Sequence, residues 1–202
     1  MKNKPLYLVI IGPSGGGKGT QAKLLEKKLG IKHISLGAVF RKEIEKKSKL
    51  GKAAKRFVVQ GLWVPTEIVI ATLKPVLRRA LDKGFILDGF PRLPDQPPLL
   101  DEFLAKQGGR LDLVIHLQVS TQEIMRRREN LAKKGKGFYS GQKRKDESRE
   151  AIISRLAAYE KTIKPILAYY RKKRILIEVD GERKVKLIHQ EVLQLVGKKV
   201  KK

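Results

Sequence analysis

Short apolar runs alternate with longer amphipathic stretches along this chain. The first run, residues 6–11 (LYLVII), is apolar throughout and ends at a Gly-Pro pair. A continuous apolar run of this length is typical of a strand that is buried on both faces of a parallel sheet. Similar runs at residues 33–35, 85–88, 113–117 and 175–179 predict four further strands.

Helical periodicity fills several of the segments between these runs. Directly after the first run, the stretch KGTQAKLLEKKLG places Ala22, Leu25 and Leu29 at helical spacing and ends at Gly30, a residue type that commonly terminates helices. A longer periodic stretch covers residues 147–171, and Pro165 is predicted to kink it or to mark a boundary. Strands that alternate with helices predict an α/β fold with a parallel sheet.

The composition is that of one globular domain without thiol chemistry. With 202 residues, of which 41% are hydrophobic, the chain can bury one substantial core. It has no Cys and only three His, so a zinc site is not expected. The first apolar run is far shorter than the roughly 18 residues of a membrane span, and glycines follow it instead of a cleavage site. We therefore expect a cytoplasmic protein without a membrane segment.

The net charge changes this picture in one respect. The chain has 46 Lys and Arg against 20 Asp and Glu, a formal charge of +26 that attracts polyanions. One hypothesis is nucleic-acid binding through phosphate neutralisation. The other is a solvated, lysine-rich surface. Because the lysines are dispersed over nearly every segment and only 6% of residues are aromatic, the second interpretation is favoured.

Residues 12–20 (GPSGGGKGT) match the phosphate-binding pattern G-x-x-x-x-G-K, between a predicted buried strand and a predicted helix. Glycines allow successive backbone N–H groups to turn towards phosphate oxygens, and Lys18 is predicted to reach the β- and γ-phosphates. Gly19 stands where most such loops carry the Ser or Thr that binds Mg²⁺, and the hydroxyl follows at Thr20. The variant GKGTQ indicates a nucleoside monophosphate (NMP) kinase.

Five motifs in order give the chain a resemblance to adenylate kinases from about residue 6 to residue 196. They are GPSGGGKGTQ, SLGAVFRKE, GLWVPTEIVI, GFILDGFPRLPDQ and RKDESREAIISRLAAY. The resemblance implies a P-loop NTPase-like three-layer sandwich with a central parallel five-stranded sheet, a helical NMP-binding insertion and a short-to-intermediate lid without zinc. It divides one kinase domain, residues 1–202, into a core (1–34, 65–130 and 147–202), an NMP-binding segment (35–64) and a lid (131–146).

The resemblance also assigns site residues. The implied ATP-binding residues are Gly15, Gly16, Gly17, Lys18, Gly19, Thr20, Arg127, Phe138 and Tyr139. The implied AMP-binding residues are Leu36, Arg41, Leu62, Val64, Gly89, Arg92, Gln96, Arg144 and Arg155. The implied catalytic residues are Lys18, Arg92, Arg127, Arg144 and Arg155, and Asp88 would hold Mg²⁺ through water.

For the arginines of this set, the chemical basis of the implied role is clear. Arg41 and Arg92 would clamp the phosphate of AMP, because a guanidinium group donates in pairs to phosphate oxygens. Asp88 follows an apolar strand, which places it at the carboxyl edge of the sheet where ligands of α/β proteins bind. Gln96 resembles the glutamine that reads the adenine edge, and Trp63 is expected to pack against the wall formed near Leu62 and Val64.

Residues 131–145 contain six Lys or Arg, three Gly and no acid. The resemblance makes this stretch the lid, whose closure aligns the substrates, neutralises charge and excludes water. Asp146 and Glu147 would hold the lid arginines. Leu131 stands where the family has a phosphate-binding Arg, and Arg128, Lys133, Lys134 and Lys136 are alternatives for its role.

The sequence therefore predicts an adenylate kinase that catalyses MgATP + AMP ⇌ 2 ADP as a monomer. Leu36 and Ala38 replace a Thr and an Asp that are common in the family, so a kinase for UMP or CMP stays open as an alternative. The alternative from another class is a nucleic-acid-binding protein on the same fold.

Overall fold

The computed structural model describes residues 4–133 and 149–200. The strands are β1 (Tyr7–Ile11), β2 (Lys32–Ser35), β3 (Phe85–Asp88), β4 (Leu113–Gln118) and β5 (Leu176–Asp180). The helices are α1 (Lys18–Leu29), α2 (Leu36–Glu45), α3 (Lys49–Gln60), α4 (Thr66–Arg78), α5 (Gln96–Ala105), α6 (Thr121–Lys133), α7 (Arg149–Lys172) and α8 (Val185–Val200). All five predicted strands are confirmed, each within one residue of its predicted start.

The sheet is parallel, in the order β2-β3-β1-β4-β5. Alternate residues of β1 enter different hydrophobic cores, because successive side chains of a strand point to opposite faces. Tyr7, Val9 and Ile11 pack in the core that also contains residues of α4, α5 and α7. Leu8 and Ile10 pack in the core formed with α1 and α8. The three-layer α/β prediction is therefore confirmed.

The register places the carboxyl ends of β1, β2 and β3 next to one another at one edge of the sheet. Ile10 of β1 lies opposite Asp88 of β3, and Ser35 of β2 lies opposite the same Asp88. The loop after β1 begins beside them. This edge is where open α/β sheets bind ligands.

Three helices, α2, α3 and α4, connect β2 to its neighbour β3. The helices α2 and α3 form the predicted helical insertion (residues 35–64), and α4 follows it in the segment predicted as core. Within this segment, α2 and α3 are in very close contact. A Cβ added at Gly51 of α3 would lie 2.1 Å from the carbonyl oxygen of Glu43 in α2. A glycine is therefore required here by packing, since no side chain fits between the two backbones.

The prediction that Pro165 could mark a boundary is wrong. Residue 165 lies inside α7, which continues unbroken to Lys172. Ile163, Ile166 and Tyr170 on either side of the proline are buried in the core. Their burial stabilises the helix against the lost backbone hydrogen bond.

No helix within residues 4–133 and 149–200 is both long and apolar enough to span a membrane. The same residues contain no cluster of three or more His, Cys, Asp or Glu side chains suited to hold a metal ion.

Candidate active site

The loop between β1 and α1 is a compact turn closed by its own lysine. Lys18 Nζ donates to the carbonyl oxygen of Pro13 at 2.8 Å, and the backbone N–H of Gly16 donates to the same oxygen at 3.1 Å. Gly17 precedes α1 with φ 91°, a left-handed conformation that glycine adopts without strain. The loop thus places Lys18 at the N-terminus of α1, and both the lysine and the helix N-terminus favour the binding of phosphate.

Lys18 is a buried cation with a perturbed pKa. Only 7% of the surface of the residue is exposed. Burial, assisted by the charge of Arg92, lowers the pKa of Lys18 to about 8, and Asp88 opposes this shift. Burial thus disfavours the charged form of Lys18, and an anion beside it would favour that form.

Asp88, at the end of β3, lies among three basic side chains. His33 Nε2 of β2 is 3.7 Å from Asp88 Oδ2, within ion-pair distance but too long for a hydrogen bond. Burial raises the pKa of Asp88, but His33, Lys18 and Arg92 together outweigh burial, so the pKa lies below its ordinary value. Asp88 is therefore a carboxylate at neutral pH.

Gly19 lies directly against this carboxylate. A Cβ at position 19 would be 3.5 Å from Asp88 Oδ2. A serine or threonine here would thus project into the space between the loop and Asp88. The hydroxyl-bearing residue Thr20, one position later, is exposed.

Arg92 is held beside the loop by contacts on two sides. Its Nε donates to the carbonyl oxygen of Gly89 at 3.0 Å, and its guanidinium carbon lies 4.7 Å from the centre of the Trp63 ring. Gly89 has φ 85°, so the turn after β3 depends on glycine. The predicted packing role of Trp63 therefore understates its contact with Arg92.

Gln96 is placed differently from its expected base-reading role. It is 1% exposed, and its Oε1 accepts hydrogen bonds from the backbone N–H groups of Arg92 and Leu93 at 2.7 and 3.3 Å. Its Nε2 donates to Thr66 Oγ1 at 3.3 Å. In this structure the amide stabilises the turn that carries Arg92, since both its ends are occupied by protein groups.

On the opposite side of the loop, α6 presents an arginine cluster. Arg127 donates from Nε to Glu123 at 2.7 Å and from Nη2 to the carbonyl oxygen of Gly181 at 2.8 Å. Hydrogen bonds from Arg126 and Arg127 lower the pKa of Glu123 to about 2. The acid thus orients both guanidinium groups at neutral pH.

These parts border one open cleft of about 1250 Å³. The predicted residues that line it are Gly15, Gly16, Gly17, Lys18, Gly19, Thr20, Arg41, Asp88, Gly89, Arg92, Arg127 and Arg155. Four others do not line it: Leu36 and Val64 are buried in the core, Leu62 is 47% exposed outside the cleft, and Gln96 supports the turn. Phe138, Tyr139 and Arg144 lie outside the described residues, as do residues 134–146 of the predicted lid (131–146).

Several residues of the cleft have no counterpart in the sequence prediction, including His33, Ser35, Glu123 and Arg183. His33 and Ser35 could have been found from the rule that parallel strands end at one edge. Glu123 precedes Arg127 by four residues, a spacing that predicts a helical ion pair. Arg183 follows β5, and only the tertiary structure brings that turn to the cleft.

Comparison with known proteins gives one consistent answer. A family model described as adenylate kinase matches residues 10–175. The chain is 34% identical to an adenylate kinase of Acholeplasma laidlawii, over 95% of this chain and 98% of the relative. It is 35% identical to one of Archaeoglobus fulgidus (96% and 99%) and 36% identical to one of Desulforamulus reducens (95% and 100%). Together with the loop, the parallel sheet and the arginine-lined cleft, these matches show that the chain belongs to the adenylate kinase family.

Proposed function

We propose that this protein catalyses the reversible transfer of a phosphoryl group from ATP to AMP, giving two ADP. The observation that carries the proposal is the cleft itself. It joins the phosphate-binding loop with Lys18 to two further arginines, Arg41 and Arg92, that enter from the helical insertion and from the turn after β3. A single nucleoside triphosphate does not need cations on both sides of the loop to bind its phosphates, whereas two nucleotides placed end to end do.

The roles follow from where each group lies. Loop amides and Lys18 hold the β- and γ-phosphates of ATP, and Arg127 on α6 lies at the ATP end of the cleft. Arg41 and Arg92 hold the AMP phosphate in paired hydrogen bonds. Arg155 of α7 borders the same cleft and neutralises the charge of the group in transit. No side chain serves as an essential general base, because positioning and charge neutralisation supply most of the catalysis in phosphoryl transfer.

The residues present fit a magnesium ion that arrives with ATP. Asp88 is ionised and lies against the loop, but among the described residues it belongs to no group of three or more His, Cys, Asp or Glu side chains that could hold a metal ion by themselves. Mg²⁺ commonly takes only one or two carboxylates and completes its shell with water and substrate phosphates. Asp88 would hold the ion through water and Thr20 offers a hydroxyl nearby; the ion, when bound, neutralises phosphate charge.

The division into a core, an NMP-binding segment (35–64) and a lid (131–146) belongs to this proposal. Closure of the last two over the core would exclude water while the phosphoryl group moves. The helices α2 and α3, which carry Arg41 and the Gly51 contact, support the first of these movements as one packed unit.

A coupled assay tests the proposal. Purified protein is given MgATP with AMP, CMP or UMP in turn, and ADP formation is followed. We expect AMP to be the preferred acceptor, and Lys18→Met to lower the rate by orders of magnitude. Lys27→Met, on the exposed face of the same helix, is the matched control and should leave the rate unchanged. No ADP from ATP and AMP, or an unchanged rate in Lys18→Met, would contradict the proposal. Preference for CMP or UMP would establish the alternative acceptor.

A second candidate, nucleic-acid binding in addition to catalysis, rests on helix α3. Residues 46–66 contain six Lys or Arg and no acid. Lys49, Lys52, Lys55 and Arg56 are exposed, and no ion pair is formed by them within the described part of the chain. This face attracts phosphate chains, whose binding weakens steeply with salt.

A salt series with single-stranded RNA tests the second candidate. Each phosphate contact contributes about 0.7 to the slope of log affinity against log salt for single strands. Replacing Lys49, Lys52 and Lys55 by Gln should therefore reduce the slope by about 2. The double variant Lys27→Gln/Lys28→Gln on α1 is the control. Absence of RNA binding at low salt, or equal slopes in both variants, would reject a role for α3.

A further inference from the structure

The single tryptophan of the chain, Trp63, contacts Arg92, a residue that lines the cleft. It lies between α3 and α4 and is half-buried, whereas Arg92 lies after β3. The guanidinium carbon is 4.7 Å from the indole centroid. The contact thus joins the helical insertion to the sheet, two regions that are distant in sequence.

A cation–π contact with an indole face restrains a guanidinium group without occupying its hydrogen-bond donors. The attraction acts between the positive charge and the face of the ring, so it does not use the N–H groups. The Nε of Arg92 already donates to the carbonyl oxygen of Gly89. The ring of Trp63 and the carbonyl of Gly89 thus restrain Arg92 from two sides and limit the directions in which its Nη groups can meet a phosphate.

The position of Arg92 gives this restraint a consequence. Arg92 borders the cleft together with Lys18, and its charge is close enough to lower the pKa of that lysine. A long, unrestrained arginine here would lose much rotamer freedom on binding an anion. An arginine that is already oriented loses less, so the anion binds more tightly.

We propose that Trp63 is a positioning residue for Arg92, and that its aromatic face contributes to the affinity for the acceptor phosphate. This inference rests on the proposed function, in which Arg92 holds the phosphate of AMP. Trp63 does not need to touch the substrate in order to act.

Steady-state kinetics of Trp63→Leu and Trp63→Phe test the proposal. Leucine removes the aromatic face and keeps an apolar side chain, while phenylalanine retains a weaker aromatic face. We expect Trp63→Leu to raise KM for AMP by about 3- to 30-fold, the range that one cation–π contact allows. KM for ATP should change less than twofold, and Trp63→Phe should recover most of the AMP affinity. Thermal unfolding of both variants checks that they are folded.

Three kinetic outcomes would overturn the proposal. They are an unchanged KM for AMP in Trp63→Leu, equal rises in KM for AMP and ATP, and equal impairment of the Leu and Phe variants. The last would mean that only the volume of the side chain matters.

Fluorescence tests the contact without any turnover. Because Trp63 is the only tryptophan, the indole emission reports the surroundings of this one residue, which include Arg92. We expect Arg92→Met to alter the intensity or maximum of that emission in the free protein, and AMP to alter it in the wild type. An emission spectrum that is identical in wild type and Arg92→Met would overturn the contact while leaving the proposed function intact. Failure of the wild type to form ADP from ATP and AMP would instead refute the proposed function, and with it the acceptor role.

Discussion

Lys18 should make the free protein less stable while it makes the protein active. At neutral pH the folded protein holds this lysine charged in a buried position, where its pKa falls from 10.5 to about 8. At 1.36 kcal/mol per pH unit, that difference corresponds to about 3 kcal/mol of destabilisation relative to a neutral side chain. Methionine keeps most of the apolar stem and removes the charge.

Part of this gain is offset by a lost hydrogen bond. Lys18 Nζ donates to the carbonyl oxygen of Pro13, a bond that contributes about 1 kcal/mol. The carbonyl is not left unpaired in the variant, because the N–H of Gly16 also donates to it. We therefore expect Lys18→Met to raise the free energy of unfolding by about 2 kcal/mol at pH 7, or Tm by about 4–8 °C for a chain of this size.

The stability difference between Lys18→Met and wild type should also depend on pH. Below pH 8 the lysine is protonated in both the folded and unfolded states, so the wild type bears the full penalty. Between pH 8 and 10.5 the folded state releases its proton before the unfolded state does, and wild-type stability rises relative to the variant. The advantage of Lys18→Met should thus shrink above pH 8 and disappear at about pH 9.5, where the remaining penalty of wild type equals the lost hydrogen bond. Near pH 10.5 the variant should be the less stable of the two by about 1 kcal/mol.

Thermal unfolding of ligand-free wild type, Lys18→Met and Lys27→Met across pH 7 to 10.5 measures both the stability difference at pH 7 and its change with pH. Lys27 is exposed on the same helix, so its replacement should change stability by less than about 0.5 kcal/mol. A Lys18→Met variant that melts at or below the wild-type temperature at pH 7 would refute the reasoning. So would an advantage that does not depend on pH.

Three further predictions concern the supports of the site. Gly51→Ala should lower the free energy of unfolding by about 1–3 kcal/mol in urea titrations, because α2 and α3 must separate to admit a Cβ. As the control, Gly197→Ala should raise the free energy of unfolding by up to about 1 kcal/mol, because a Cβ at position 197 meets no described atom within 4 Å outside its own helix backbone and chain neighbours. Equal effects of the two substitutions would contradict the packing argument. Gln96→Leu should cost about 2 kcal/mol, because two backbone N–H groups of the turn lose their acceptor; unchanged stability with a selective loss of AMP over CMP as acceptor would show that the amide reads the base. Asp88→Asn should lower kcat at least about tenfold, because the variant loses the carboxylate that would hold the magnesium ion. In the coupled assay it should also raise the Mg²⁺ concentration needed for half-maximal rate. An unaltered Mg²⁺ requirement would exclude that role of Asp88.

Much of the fold could be predicted from the sequence because its signals are local. A fully apolar run such as that of β1 has few structural alternatives once Gly-rich turns bound it, and all five strands are confirmed. The long helix α7 was also predicted, and only the boundary offered as one alternative at Pro165 is wrong, since a local rule for proline does not include the burial of Ile166 and Tyr170 beside it. Tertiary packing outweighed the local preference.

The site divides along the same line. Lys18, Arg41 and Arg92 were predictable because their motifs combine residue type with spacing, and all three line one cleft. Their partners were not. His33 near Asp88 and Trp63 under Arg92 come from other segments of the chain, and only the register of the sheet and the position of the insertion bring them together.

The central claim is that one cleft accommodates two nucleotides end to end. Isothermal titration of the protein with two adenosines joined by five phosphates, in the presence of Mg²⁺ and at low salt, tests it most directly. We predict one molecule bound per chain, with an affinity well above that for ATP or AMP alone and strongly reduced by Lys18→Met and by Arg92→Met. Absence of binding, or two molecules bound per chain, would contradict the claim.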